Sequence, residues 1–402
     1  MINKIMQSPV VKLRDFRLLA FSTFFESVTR GENVVLGWVI LELTDSPFMV
    51  GLAMGIRHAP AFFLGITAGT ISDLIDRRTL IRVLMATAAL VAFLMGLLLA
   101  SGKAELWHLL LIPAIGGTIH MTLNTISRSF VFDLVGQENG LLGMSYLSLA
   151  IRSGGMVGAL VVGFALGEWG AGAGYFAISV GCGCAFLFLA LIKSPGNSAP
   201  SRRGGLANGF SEFWKELKRN RTLSALVLIV MSVELFGFTS HTLMPSIARD
   251  IWDMGPEGLG VLHAFSSAGG IIAILLVSMF GQGGRHGLRF IIVLHVFGVA
   301  LLLLGLAPSV HIAILAIVLM SGMMSLSDLF SQTLLQRLVP NDLRGRAMGA
   351  WTTAVGTGPL GNLEIGALAS ILGVTTALSL HGGALILLAI VTFVTFKNLR
   401  EI

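Results

Sequence analysis

The strongest constraint on this chain is a series of long, continuous apolar runs that repeat from one end to the other. A run of about 20 apolar residues can cross a bilayer as a helix. Lipid offers the backbone no hydrogen-bond partner, so a spanning segment must be a helix or part of a closed barrel. Barrel strands alternate apolar and polar residues, whereas these runs do not alternate. With 12% charged residues and a mean hydropathy of +0.85, the chain is predicted to be an all-α polytopic membrane protein.

The apolar runs predict twelve transmembrane helices, which place both termini on one side of the membrane. Their approximate spans are 16–43, 47–72, 79–101, 105–127, 141–166, 174–193, 222–248, 257–280, 290–307, 311–335, 347–371 and 377–396.

The positive charges predict the orientation of these spans. Most of the 27 lysines and arginines lie in segments on the side of the termini, and the opposite loops hold only Lys103 and Arg249. Lysine and arginine concentrate in cytoplasmic loops, so both termini are expected in the cytoplasm. The net charge of +6 is therefore a topology signal, and no nucleic-acid partner is expected.

Two similar halves make up the predicted chain. An offset of 204 residues aligns Leu134 with Leu338 and Gly154 with Gly358. Both copies follow an even-numbered span, which predicts a parallel repeat about an axis along the membrane normal. The predicted parts are an N-terminal six-helix bundle (1–193), a cytoplasmic linker with a short amphipathic helix (194–221) and a C-terminal six-helix bundle (222–402).

Several sequence motifs indicate a family. The stretch LVPNDLRGRAMGAW (338–351) resembles the link before the eleventh helix of the major facilitator superfamily, and GTISDLIDRR (69–78) is similar to its signature between helices 2 and 3. The stretches WVILELTDSPFMVG (38–51) and SRSFVFDLVGQENG (127–140) resemble the drug and siderophore exporter branch, of macrolide and enterobactin type. The resemblance implies a major facilitator fold, with the two bundles around a central cavity.

Charges within spans are the first candidate site residues, because each costs about 2.5–3.5 kcal/mol at mid-bilayer. Glu26 and Arg30 are four residues apart and share a helical face with Asn33. The repeat offset pairs Arg30 with Glu234, and the resemblance puts both on the cavity wall. A proton-sensitive ionic network of Glu26, Arg30 and Glu234 is expected; a permanent structural ion pair is the alternative.

Further polar residues inside spans complete the candidate substrate and proton site. His120 lies one turn from Asn124, which the repeat aligns with Asp328, and these residues are candidate substrate contacts or proton carriers. Packing of the histidine, or a gating or capping role for Asp328, is the alternative. Two further candidates remain. Arg152 precedes a glycine-rich run and is expected to bind an anionic substrate or to pair with an acid across the cavity. Glu364 follows a predicted helix break and is a candidate proton-binding residue.

A second group of charges lies at the cytoplasmic edge. In the family that the chain resembles, the acid of the signature faces the N-terminus of helix 11 and stabilises the outward-open state. The resemblance implies a conformational latch here, whereas positive-inside topology alone is the alternative for the arginines. The latch residues are Asp73, Asp76, Arg77, Arg78, Arg344 and Arg346.

These features predict a secondary active transporter that works by alternating access, most simply a proton-coupled exporter of small amphipathic drugs or siderophores. A facilitator-fold importer or a lipid flippase without proton coupling is the alternative. No metal cluster, nucleophile elbow or P-loop occurs in the sequence, so neither an enzyme nor a cofactor is expected, and a proton gradient is the expected energy source. The expected setting is the bilayer of a bacterial inner membrane, with a small-molecule substrate and a functional monomer.

The network hypothesis gives a first test, the variant Glu234→Gln. Removing this carboxyl group should change the pH dependence of transport, since glutamine cannot release a proton. Transport is measured across a range of pH values. A pH dependence identical to that of the wild type would exclude Glu234 from coupling.

Overall fold

The structure is a computed structural model that describes residues 9–72, 76–196, 221–280, 285–339 and 344–401. Within these ranges the chain is helical and contains no strand. Nine of the described helices are long and apolar enough to cross a membrane. The prediction of an all-α membrane protein is confirmed, while the number of twelve spans stays a prediction.

The first half of the chain begins with a short helix, Pro9–Lys12, and a first span in three pieces. Two α-helices of this span are joined by a 3₁₀ segment, Ser27–Gly31. The next two long helices, Leu106–Gly136 and Glu138–Trp169, are separated at Gly136, which has a positive φ of 74°. We name the helices of this half α1 (Arg14–Glu26), α2 (Glu32–Thr44), α3 (Pro47–Ser72), α4 (Arg77–Ala100), α5 (Leu106–Gly136), α6 (Glu138–Trp169) and α7 (Ala171–Ala190).

The second half also begins with an interrupted helix, but its pieces differ from those of the first half. Its first helix gives way to a 3₁₀ segment, Phe238–Leu243, then to Met244–Ser246 and a π-helical turn, Ile247–Ile251. A short helix, Lys397–Glu401, ends the described chain. The long helices are α8 (Arg221–Phe236), α9 (Pro256–Phe280), α10 (His286–Gly305), α11 (Val310–Leu338), α12 (Arg344–Val355), α13 (Gly358–Leu372) and α14 (Val374–Thr395).

Some helix boundaries differ from the predicted spans. The segment expected as a loop between 127 and 141 is helical apart from the break at Gly136, so Arg128 lies within α5 rather than in a loop. The predicted break near Gly358 and Pro359 is confirmed, because α13 begins there with proline in its first turn. Proline has no N–H, so this position suits it.

The chain forms two compact units. The first comprises 1–43, 56–201 and 254–264; the second comprises 44–55, 202–253 and 265–402. This division by spatial compactness differs from the predicted division by sequence repeat in two segments, 44–55 and 254–264. Each segment is the N-terminal part of a long helix, α3 or α9.

Within each unit the third and sixth spans pack along each other: α4 with α7, and α10 with α14. Glycines bring the second pair of backbones together, because a Cβ at Gly382 would lie 2.7 Å from the carbonyl oxygen of Gly298. The glycine-rich run of α6 works in the same way. A Cβ at Gly154 would lie 2.1 Å from the carbonyl oxygen of Phe24, which confirms that the run permits close helix packing.

Adjacent glycines in α14 test this packing. Gly382→Ala should lower the thermal stability of the detergent-solubilised protein, because the methyl group meets backbone that cannot rotate away; overpacking costs about 1–3 kcal/mol. Gly383→Ala is the matched control, since nothing lies within 4 Å of its added Cβ. Alanine is the better helix former, so the control should unfold at the wild-type temperature or slightly above. Equal melting temperatures for the two variants would contradict the close contact.

Candidate transport site

A buried ion pair joins α2 to α3 within the first unit. The Arg57 guanidinium donates from Nε and Nη2 to Oε2 of Glu32, at 3.0 and 2.9 Å, and the Tyr175 hydroxyl donates to Oε1 at 3.3 Å. The Arg57 and Glu32 side chains are only 5% and 10% exposed. Both charges are therefore compensated, and the pair acts as a structural element.

A second contact joins the first span to α5. Oε1 of Glu26 lies 2.7 Å from Nδ1 of His120. Glu26 and Asn124 also line a cavity of about 20 Å³ together with Ser22, Thr23 and Ser127. A cavity of this size with several polar partners can hold one water molecule. The structure thus brings together three predicted site residues, Glu26, His120 and Asn124, around a histidine–carboxylate pair.

Arg30 lies apart from this pair. Glu26 acts on it electrostatically, but no carboxylate of the described residues lies within ion-pair distance of Arg30. Helix geometry gives the reason, because Ser27–Gly31 is a 3₁₀ helix. Residues four apart are about 40° apart around an α-helix but about 120° apart around a 3₁₀ helix with three residues per turn. The expected shared face is therefore lost, and the proposed network with Glu234 stays a prediction.

Several charged groups act electrostatically on Arg30. Its strongest electrostatic neighbours are Glu26 and three arginines, Arg152, Arg57 and Arg128. Arg128 donates from Nε to Oδ1 of Asn124 at 2.6 Å. Arg30 and Arg128 are exposed, and Arg152 is half-buried.

Two polar atoms near Arg30 lack hydrogen-bond partners among the described residues: Oγ1 of Thr29 and Oδ1 of Asn33, both buried. Such groups are rare in native proteins and mark strain or a functional site. Asn33 was predicted as a site residue. Its buried side-chain oxygen has no hydrogen-bond partner among the described residues, and it lies three residues after Arg30 in the sequence.

The second unit holds its own histidine–carboxylate pair. Nε2 of His381, in α14, lies 2.9 Å from Oε2 of Glu364, in α13. Nδ1 of the same ring lies 3.0 Å from the carbonyl oxygen of Phe236, at the end of α8. The histidine side chain is 2% exposed and that of Glu364 is 38% exposed. One side of this pair is therefore buried and the other is accessible.

Glu234 and Asp328 are two acids of the same unit that interact electrostatically. Glu234 is 6% exposed, and Asp328 acts on it electrostatically. The Glu234 carboxylate lies near the start of α13, since a Cβ at Gly358 would be 3.9 Å from its Oε2. Two ionised carboxyl groups repel each other, so this pair is a further candidate for proton binding.

Comparison with known proteins identifies the family. Residues 9–402 match the model of the transmembrane secretion effectors, MFS_3. The chain belongs to this family of the major facilitator superfamily. It is 23% identical over 391 residues to the enterobactin exporter EntS of Shigella flexneri, covering 96% of this chain and 92% of the relative. The exporter EntS of Escherichia coli O81 is also 23% identical, over 393 residues.

Solved structures of other transporters share the fold. A nucleoside transporter, NupG, superimposes with a TM-score of 0.77 at 14% identity, covering 96% of this chain and all of that one. A bacterial homologue of the human lysosomal transporter Spinster gives a TM-score of 0.74 at 16% identity, covering 98% and 99%. These likenesses confirm the major facilitator fold. The family match shows that the chain is a membrane transporter and not an enzyme, as predicted.

The latch residues of this family member are partly described. Asp76 caps α4 by accepting hydrogen bonds from Thr79 and also from the N–H of Gly196. Burial raises the pKa of Asp76, but these hydrogen bonds outweigh it and the net pKa is lowered. Arg77 donates to both carboxylate oxygens of Asp133 at 2.9–3.0 Å. Asp73 and the side chains of Arg344 and Arg346 lie outside the described residues.

The end of α7 and the start of the linker are fixed to the first unit. Asp15 accepts hydrogen bonds from the N–H groups of Lys193 and Ser194. Arg78 donates to the carbonyl oxygen of Lys193. Arg82 donates to three carbonyl oxygens at the end of α7, which compensates acceptors that the helix leaves unpaired; they belong to Leu189, Ala190 and Ile192.

Sequence reasoning missed several partners in these sites. His381 was not predicted, although a histidine inside an apolar span is itself a signal of function. Asp133 and the hydrogen-bonding role of Tyr175 depend on three-dimensional contacts that no sequence spacing indicates. Among the described residues, no group of His, Cys, Asp or Glu could hold a metal ion.

The buried Glu32–Arg57 pair gives a stability test. Glu32→Gln or Arg57→Gln leaves one buried charge uncompensated, which costs about 3–5 kcal/mol. The double variant removes both charges and should recover much of the lost melting temperature. Thermal unfolding of the four proteins in detergent checks this. Additive losses in the double variant would show that the two side chains do not act as a pair.

Proposed function

We propose that this transporter is a proton-coupled exporter of small amphipathic molecules such as drugs or siderophores. It works by alternating access in a bacterial inner membrane, with both termini in the cytoplasm, as a monomer and without a cofactor. The proton gradient supplies the energy. The proposal rests on the contact between Glu364 and His381.

That contact has the geometry of a pair that holds a proton. The carbonyl oxygen of Phe236 can only accept, so Nδ1 of His381 carries hydrogen. Nε2 and the Glu364 carboxyl group, 2.9 Å apart, must then share one further proton. It resides either on the imidazolium or on the carboxylic acid. Without this proton, the Nε2 lone pair would face an ionised carboxylate and the contact would be repulsive.

Proton release therefore separates the pair, which gives a link between protonation and conformation. Phe236 ends α8, Glu364 lies in α13 and His381 lies in α14. A change in this contact alters the packing of all three helices. A ligand shifts an equilibrium between two conformations only by the difference between its binding free energies for them. The proton has such a difference, because it binds only while the Glu364–His381 contact is intact.

The first unit offers a second group for proton exchange. Glu26, which contacts His120, lines the water-sized cavity together with Ser22 and Asn124. A water molecule bound in this cavity could pass a proton to or from the pair. Residues predicted from the sequence to bind substrate or protons thus form histidine–carboxylate contacts in both units.

The direction of transport is supported by the relatives. The EntS proteins are named enterobactin exporters and align with nearly the whole chain. We extend export to this transporter on that similarity. The latch of Asp73, Asp76, Arg77, Arg78, Arg344 and Arg346 remains part of the proposal as the element that stabilises the outward-open state.

The variant Glu364→Gln tests the coupling. Glutamine can donate a hydrogen bond to Nε2 of His381, so the contact persists without a releasable proton. Purified protein is placed in liposomes with an internal pH dye and assayed with iron-free enterobactin and a panel of amphipathic drugs. We expect the wild type to couple substrate movement to opposite proton movement. The variant should still exchange substrate across the membrane without a gradient. Its rate of proton-driven transport should fall by about tenfold or more, because a proton-transfer group is lost.

Glu401→Gln is the matched control, since it removes an exposed carboxylate near the C-terminus and should leave transport unchanged. Wild-type proton-driven transport by Glu364→Gln would exclude the coupling role of the pair. Transport by the wild type that ignores an imposed pH gradient would favour an importer or a lipid flippase without proton coupling.

A further inference from the structure

A long groove lies on the surface of the second unit, away from the two histidine–carboxylate pairs. It has a volume of about 500 Å³ and is lined by residues of α9 and α11, with Arg289 of α10 as its charged member. Its walls include Ile272 and Leu276, which are 49% and 51% exposed, and the buried Leu326 and Phe330. The groove is therefore apolar, open to the surroundings and bordered by one cation.

Small residues form the floor of the groove. A Cβ at Gly269 of α9 would meet the carbonyl oxygen of Val318 of α11, and a Cβ at Gly322 would lie 3.2 Å from the Cβ of Ala273. The two helices thus touch through backbone and small side chains. Because these residues also line the groove, no large side chain fills the space above them.

The length of the groove matches the thickness of one membrane leaflet. On α11 its lining runs from Val318 to Phe330, which is about 18 Å of helix. The hydrocarbon core of a bilayer is about 30 Å thick, so one leaflet contributes about 15 Å. One extended lipid chain therefore fits along the groove.

The start of α10 closes one end of the groove. The ring of His286 meets the ring of Phe330 edge-on, with 6.2 Å between their centroids. Arg289 lies three residues after His286, on the same face of α10. Arg285 is exposed and lies one helical turn before Arg289, whose N–H donates to its carbonyl oxygen at 3.1 Å. Two arginines one turn apart thus lie at the end of an apolar groove.

Further positive charge surrounds this end. Arg337 is exposed and lies two turns after Phe330, so it continues that face of α11. The C-terminal helix packs on Gly287 and adds two cations and one anion. Arg289 has a further interaction within the protein, but a guanidinium group has five N–H donors. It can keep that interaction and still donate to a ligand oxygen.

We propose that this groove binds one anionic phospholipid, with an acyl chain between α9 and α11 and the phosphate at Arg285 and Arg289. An apolar groove alone accepts any lipid chain, whereas arginines bind phosphate through paired, charge-assisted hydrogen bonds. Basic pockets between transmembrane helices bind anionic headgroups in this way. The C-terminal helix lies at the same end, so the lipid belongs to the cytoplasmic leaflet if the termini are cytoplasmic, as proposed above.

Two lipids that differ in headgroup charge test the site. The full-length protein is purified in a neutral detergent and depleted of lipid, and binding of dioleoyl phosphatidylglycerol and dioleoyl phosphatidylcholine is measured by native mass spectrometry. We expect one phosphatidylglycerol to bind at least about tenfold more tightly than phosphatidylcholine, as a hydrogen bond to a charged group provides. Equal affinities, or binding that does not saturate at one copy, would indicate ordinary boundary lipid and overturn the proposal.

Arginine variants assign the headgroup site. Arg285→Gln and Arg289→Gln should each weaken phosphatidylglycerol binding by about tenfold and leave phosphatidylcholine binding unchanged, whereas Arg289→Lys should keep part of it. Lys12→Gln is the control, since it removes an exposed charge from the first unit. Melting temperatures show which variants are folded, and the exposed Arg285 is the position less critical for folding. Wild-type affinity in both folded glutamine variants, or an equal loss in Lys12→Gln, would contradict the site.

Two neighbouring leucines of α9 test the chain site. Leu276 lines the groove, whereas Leu275 is 40% exposed and lies outside its lining. Leu276→Trp should weaken phosphatidylglycerol binding by about tenfold, as for the loss of about two buried methylene groups, and Leu275→Trp should bind as the wild type does. Wild-type affinity in folded Leu276→Trp, or equal losses in the two variants, would exclude the groove. A lipid-free dimer that Leu276→Trp dissociates would make the groove an interface between copies and would also overturn the proposal.

Discussion

Charge inside a bilayer is expensive, at about 2.5–3.5 kcal/mol for each residue at the centre of a helix, and this cost determines how the intramembrane charges of the chain are arranged. One pair, Glu32 with Arg57, is fully compensated and buried. Other intramembrane charges form the histidine–carboxylate pairs Glu26–His120 and Glu364–His381, and some charges of like sign act on one another electrostatically. We propose that a transported proton completes the histidine–carboxylate pairs.

Each unit has a distinct chemistry. In the first, Glu26 and several arginines act electrostatically on Arg30. The second holds Glu364, His381, Glu234 and Asp328, the residues that we propose for proton binding. A duplicated fold permits this division, since the repeat aligns Arg30 with Glu234 and Asn124 with Asp328. At both positions the first half has the more positive group and the second half has an acid.

The fold could be predicted from hydropathy because the requirement for backbone hydrogen bonds in lipid leaves few alternatives. The helix break at Gly358 was predictable from Pro359, and the packing role of Gly154 was predictable from its neighbours. The contacts of the candidate site were harder to predict from the sequence. Glu26 and Arg30 have the spacing of an α-helical pair, and only the 3₁₀ geometry of Ser27–Gly31 separates them. His381 pairs with a residue of another helix, and spacing along one helix carries no information about such contacts.

The 3₁₀ segment of the first span has a mechanical consequence. A 3₁₀ helix rises about 2.0 Å per residue and an α-helix about 1.5 Å, so rewinding Ser27–Gly31 as α-helix would shorten the span by about 2.5 Å. The same change would swing Arg30 by roughly 80° toward the face of Glu26. The length of the span and the direction of the Arg30 side chain thus both depend on whether this segment is a 3₁₀ helix or an α-helix. A change in the length of this span would therefore rotate the Arg30 side chain about the helix axis.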